Sequence, residues 1–219
     1  MEPAAPLDPP AREASTYARS MDFRVLGPVE VALDGEVLAL GGPKQRSVLA
    51  LLVSRHPDPV SLEGIVHGVY GEDAPEGARH SVQTYISSIR RELGAIIDRR
   101  PGGYSLLIDA ADIDANRFEE AVHRARADLE SDPAAAADGL REALGMWRGH
   151  PYADVDGIGA LQGEATRLSE LRLAATEGRI DADLALGRHP ELLAELEALT
   201  SEHPLRERFR AQQMLALYR

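Results

Sequence analysis

The chain has 219 residues, 44% of them hydrophobic, and a net charge of −12. That length admits one large or two ordinary domains, and the apolar content supports real cores. No stretch nears the ~20 apolar residues of a membrane helix, and the lack of cysteine excludes disulfide scaffolds, thiolate zinc sites and thiol chemistry.

Residues 1–20 are rich in Pro and Ala (EPAAPLDPPAREAS) and lack the basic start and apolar run of a signal peptide. A disordered leader on a soluble cytoplasmic protein is expected. DFRVLGPVEVALDGEVLALGG follows, with turn signals at Gly27-Pro28 and Asp34-Gly35. The Asp-Gly between VEVAL and EVLAL predicts a hairpin. Pro43 suits the first turn of a helix carrying SVLALLVS, and Pro57 and Pro59 end it. Ser61 is an N-cap candidate for a second helix that Gly71 closes.

The next stretch is the most informative. Residues 77–93 predict a third helix with Val82, Ile86, Ile89 and Leu93 on one face. His80, Thr84, Ser87, Ser88 and Arg91 lie on the other face, which is small, polar and free of acid. A hairpin is expected from arms at 95–98 and 104–108, with Arg99, Arg100 and Gly102-Gly103 between them. A helix able to enter the major groove, followed by a basic hairpin able to touch the neighbouring backbone, describes a winged-helix DNA reader. The same pattern also fits an ordinary surface helix with a solvated polar side.

Charge is unevenly spread. Residues 21–110 hold 9 basic and 12 acidic side chains, and residues 111–219 hold 13 and 21. Between Arg79 and Arg100, five arginines face only Glu92 and Asp98. A positive field this local predicts weak non-specific DNA binding and a need for a second copy of the chain on the site.

From Ile113 onward every segment has helical spacing. The segments start at DANRFEEAVHRARADLE, PAAAADGLREALGMWRG, EATRLSELRLAATEGRIDADLALG, PELLAELEALTSEHP and LRERFRAQQMLALYR. Gly187, Leu192, Leu196, Leu199 and Pro204 match the second helix of a tetratricopeptide unit. A generic helical bundle is the alternative. The last helix has no cap and would expose an apolar flank, so a shortened domain or a partner is expected there. The fold expected is an α+β winged helix-turn-helix over 21–110, then an all-α TPR-like domain over 111–219.

Catalytic and metal motifs are not found. GGPKQRS lacks the Gly-Lys-Ser/Thr ending of a phosphate loop, and GIGALQG lacks dinucleotide-binding spacing. No H-E-x-x-H, histidine pair or G-x-S-x-G elbow occurs. Neither an enzyme nor a cofactor is expected. Asp112, Asp114, Asp154 and Asp156 read as turn and cap residues, and Trp147 as core or as an anchor for a partner.

FRVLGPVEV, GGPKQRSVLALL, HSVQTYISSIRREL, RRPGGYSL, REALGMWRG, RLSELRLAATEGRIDADLALGRHPEL and SEHPLRERFRAQQMLALYR together carry a resemblance. From about Asp22 to the end, the chain resembles the Streptomyces antibiotic regulatory proteins: an OmpR-type winged helix followed by a bacterial transcriptional activator domain. The resemblance implies a transcriptional activator, often of secondary metabolism, that binds direct repeats in double-stranded DNA near promoters and contacts RNA polymerase. It implies a base-reading face of Ser81, Thr84 and Ser88, backbone contacts from His80, Tyr85, Ser87 and Arg90, and Arg100 near the minor groove. Lys44 and Arg46, opening the first helix, would meet phosphate, although both also fit as exposed charges. Ser88 stands where similar proteins usually have Arg, and Ser105 occupies a wing position that is often basic. Those departures and the acidic balance leave an alternative, a protein-interaction adaptor whose DNA binding is weak or lost.

Overall fold

The computed structural model describes residues 21–155 and 157–218. The expected leader, Asp156 and Arg219 lie outside the described residues. The chain opens with an antiparallel sheet of β1 (Met21–Arg24), β2 (Glu30–Leu33) and β3 (Glu36–Val37). The β2–β3 turn is the predicted Asp-Gly hairpin: Asp34 and Gly35 both have positive φ, 50° and 90°, as a two-residue turn matching strand twist requires. The second arm is shorter than EVLAL, since pairing ends after Leu38 donates to Val31 O at 2.8 Å.

Helix α1 (Pro43–Arg55) starts at the predicted proline, and the Gln45 side chain folds back to accept the Gly42 N–H at 2.9 Å. From Ser47 to Val53 every residue is buried, because α1 is wrapped by neighbours. It touches α2 (Leu62–Tyr70), α3 (Ala78–Leu93) and the later helix α6 (Gly159–Ala185). Ser61 caps α2 by accepting from Gly64 N at 2.9 Å, and Gly71 ends it at φ 71°. The hairpin of β4 (Ile97–Arg100) and β5 (Gly103–Leu106) follows α3.

That hairpin is tighter than the sequence suggests. Pro101 and Gly102 form the tip, so Arg99 and Arg100 belong to β4 rather than to a loop. Val60, between α1 and α2, pairs with Tyr104 through N–H···O bonds of 2.8 and 2.9 Å. A Cβ at Gly103 would sit 2.0 Å from Val60 O, and Gly103 has φ 148°. Only glycine permits this approach, and it bolts the hairpin to the helical core.

A 3-10 turn (Ala110–Asp112) leads to α4 (Asp114–Asp128), α5 (Pro133–Leu144), α6, α7 (His189–Glu202) and α8 (Glu207–Tyr218). All five predicted helices are present. The second is shorter than expected, because the chain leaves the helix at Gly145 and residues 145–155 become a strap. The strap is laced to the loop between β1 and β2: Arg148 N donates to Leu26 O at 2.8 Å and Tyr152 N to Val25 O at 3.1 Å. A Cβ on Gly27 would come within 2.9 Å of Arg148 Cβ.

One hydrophobic core therefore runs across residue 110, from Phe23 and Val31 through Leu49 and Ile86 to Phe118, Leu140 and Leu168. Phe23 forms a parallel bridge with Ile113. A second cluster of Ile180, Leu184, Leu192, Leu196, Phe209 and Ala216 holds α6, α7 and α8 together. Trp147 belongs to the first core, meeting Phe118 edge-on at 5.2 Å under the Arg172 guanidinium. Among the described residues no helix is long and apolar enough to cross a membrane.

Candidate nucleic-acid interface

Helix α3 buries the predicted stripe of Val82, Ile86, Ile89 and Leu93, plus Ala78. That packing orients the opposite side outward. His80, Thr84, Ser87 and Arg91 are exposed, while Ser81, Tyr85, Ser88 and Arg90 are half-buried on its flanks. The Thr84 and Ser87 hydroxyls donate to carbonyls one turn back, of His80 and Gln83, at 3.0 and 2.8 Å. Each keeps acceptor capacity toward solvent. Arg91 leans on Ser88 Oγ at 3.2 Å and on Glu92 at 3.3 Å, and remains largely exposed. Arg99 and Arg100 project from β4, with Arg100 3.5 Å from Asp98. The outer face of α3 and the two β4 arginines are both exposed.

The other expected contact residues have partners inside the protein. Arg90 gives Nε and Nη2 to the Ile97 carbonyl at 2.9 and 2.7 Å, tying the end of α3 to the hairpin. Lys44 donates to Val69 O at 2.5 Å with its ammonium 4.6 Å above the Tyr70 ring. Arg46 is bonded to Asp154 at 2.5 Å and to Gly41 O at 2.7 Å. Expected either at a phosphate or as an exposed charge, Arg46 joins α1 to the strap in this structure. The Tyr85 phenol lies 3.3 Å from that of Tyr70, and this hydrogen bond, with burial, raises its pKa.

Ser105 is a correction. It is 1% exposed, and its hydroxyl has no hydrogen-bond partner among the described residues. Tyr104 and Leu106 on either side of it belong to the first core, so strand alternation puts Ser105 on the other side of β5, which is covered as well.

The aspartates outside this surface act as clamps over long distances. Asp114, 3% exposed, accepts from Val25 N at 2.8 Å and Leu26 N at 3.1 Å. Its burial raises its pKa, against those two bonds and the nearby Arg148. Asp154 accepts from Val29 N at 2.7 Å as well as from Arg46. Asp112 does serve its own turn, accepting from Asp109 N. No group of His, Asp and Glu able to hold a metal ion is found among the described residues.

Sequence reasoning passed over two exposed residues of α3. Arg79, paired with Glu63 of α2, stands at its start, and Gln83 lies beside Thr84. Helical spacing alone would have placed Gln83 outward.

Comparison with known proteins identifies both parts of the chain. Residues 35–106 match the family "Transcriptional regulatory protein, C terminal", and residues 113–219 match "Bacterial transcriptional activator domain". The chain is 41% identical to the regulatory protein AfsR of Streptomyces coelicolor, over 96% of this chain and 21% of AfsR. It is 36% identical to the regulatory protein DnrI of Streptomyces peucetius, over 91% of this chain and 78% of DnrI. The solved structure of Mycobacterium tuberculosis EmbR in complex with a low-affinity phosphopeptide superposes with a TM-score of 0.84 at 35% identity. That match covers 91% of this chain and 55% of EmbR, so the chain spans only part of AfsR and EmbR. On this evidence the chain belongs to the Streptomyces antibiotic regulatory protein family of transcriptional regulators, with an OmpR-type winged helix ahead of a bacterial transcriptional activator domain.

Proposed function

We propose that this chain activates transcription from the cytoplasm by binding direct repeats in duplex DNA near promoters and helping to recruit RNA polymerase. The observation that carries the reading is the exposed, acid-free face of α3 on a helix tied to a basic hairpin by Arg90 and the Ile97 carbonyl. His80, Thr84, Ser87 and Arg91 stand outward on a helix whose other side is locked in the core, and Arg99 and Arg100 are exposed on β4. In this reading α3 enters the major groove. Ser81, Thr84 and Ser88 approach base edges, His80, Ser87 and Arg91 contact the phosphates, and Arg99 and Arg100 reach the adjoining backbone. Lys44, Arg46, Tyr85 and Arg90 act behind them by holding α1, α2 and the hairpin in place. The unbroken core from the sheet to α6 transmits a fixed orientation, so an activator domain docked on polymerase keeps the reader at a set angle.

The acidic remainder of the chain keeps non-specific affinity low, so two copies on adjacent repeats supply the missing phosphate contacts. The test is binding of the purified chain to its own upstream region across a salt series. Expected is a specific shift whose log affinity falls steeply with log salt, by about 0.9 per phosphate contact. No shift on any promoter fragment would leave the adaptor reading in its place.

A further inference from the structure

We propose that Gln83 determines base specificity by selecting adenine at one position in each repeat; this rests on the reading of α3 as the groove-facing helix. Most exposed polar groups of that helix are already engaged or offer one kind of hydrogen bond. The hydroxyl hydrogens of Thr84 and Ser87 are already given to helix carbonyls, which leaves these side chains as acceptors. Arg79 is paired with Glu63, and Arg91, which touches Ser88 and Glu92, carries donors only. Arg90 is tied to Ile97 O and Tyr85 to Tyr70.

Gln83 is different. It is exposed, and its amide has no hydrogen bond to any described residue. It lies two turns before Arg90 and so on the same flank of α3, with Ser87 one turn further on. Its backbone carbonyl takes the Ser87 hydroxyl, so the Ser87 side chain packs along the helix instead of competing with the amide for space.

The chemistry selects the ligand. In the major groove adenine presents an acceptor, N7, beside a donor, the N6 amino group. A carboxamide carries the complementary donor and acceptor in one plane and can satisfy both at once. His80, also exposed, has its two nitrogens on different edges of the ring and cannot make that paired contact. On this face Gln83 therefore supplies the one planar donor–acceptor pair not already engaged.

The experiment selects binding sites from a library in which two direct repeats are randomised, using the full chain as wild type, Gln83→Ala and Gln83→Glu. Wild type should enrich a motif with adenine at one position per repeat, preferred roughly 5- to 100-fold over other bases at that position. Gln83→Ala should lose that preference and keep the rest of the motif. Gln83→Glu, which only accepts, should move it toward cytosine, whose N4 amino group only donates. Identical motifs from all three proteins would overturn the assignment while leaving the DNA reading intact. A wild type that enriches no motif would remove the DNA reading itself and the assignment with it.

Discussion

Arg90 and Ile97 join the helix to the hairpin: two guanidinium nitrogens converge on one carbonyl, at 2.9 and 2.7 Å. Its sequence neighbour Arg91 has no such anchor and points to solvent. Two adjacent arginines on the same helix therefore have separable roles. Arg91→Ala should weaken DNA binding on every sequence and lower the log–log salt slope by about one, with stability almost unchanged. Arg90→Ala should lower stability by roughly 1–2 kcal/mol, because the Ile97 carbonyl loses a charged donor. Denaturant melts beside salt-dependent binding curves separate the two. Equal stability in both variants would contradict the anchoring role.

Gly103 tests the hairpin's attachment. Gly103→Ala places a methyl group 2.0 Å from the Val60 carbonyl oxygen, so the β5–Val60 pairing must open. A stability loss above about 2 kcal/mol is expected. In hydrogen exchange the Val60 and Tyr104 amides should lose protection ahead of those of α6. Protection equal to wild type would mean the hairpin tolerates the extra carbon.

Asp22 and Asp114 give stability opposite dependences on pH. Burial alone would raise the Asp22 pKa, yet hydrogen bonds from Arg24 and Arg117 outweigh it and lower the value. The unfolded state then binds the Asp22 proton more tightly. Its contribution is present above its unfolded pKa near 4 and is lost as pH falls through the folded value. Asp114, raised by burial, binds its proton more tightly when folded. Its contribution is fullest at acid pH and declines as pH rises through the folded value. Asp22→Asn should therefore flatten the fall in stability below about pH 4, and chemical melts at pH 3, 4 and 6 would show it. An unchanged acid slope would contradict the paired state of Asp22.

Binding to DNA should be cooperative. The chain is expected to be monomeric when free and to fill two direct repeats about one helical turn apart. Moving the repeats by a further half turn puts the second copy on the opposite face of the duplex, and the joint footprint should disappear. Footprinting on the two probes decides this, and equal occupancy would rule out contact between copies.

Ser88 is half-buried beside Leu40, Gly41 and Gln45. Ser88→Arg must extend past that crevice to reach a base. If it does, sites with guanine at the matching position should bind tighter by roughly 1–2 kcal/mol. Titrations on guanine and adenine versions of one site measure the difference. No change on either would place residue 88 outside the groove.

Much of this was legible in the sequence because it depends on local rules. Period and punctuation located α1, α2, α3 and all five later helices, and Asp34-Gly35 located the first hairpin. The identities of Val82, Ile86, Ile89 and Leu93 decided which side of α3 turns inward, since burial of apolar area follows helical spacing. The partners of Arg46, Arg90, Asp114 and Asp154 and the burial of Ser105 are visible only in the tertiary structure. Sequence spacing says that a charge is near a helix start or a strand, but not what stands across from it. Asp154 lies 108 residues from Arg46, and Asp114 lies 89 from Val25. Each pair meets only through tertiary packing: α4 begins against residues 25 and 26, and the strap lies against α1. A buried carboxylate must then find donors wherever the packing brings them.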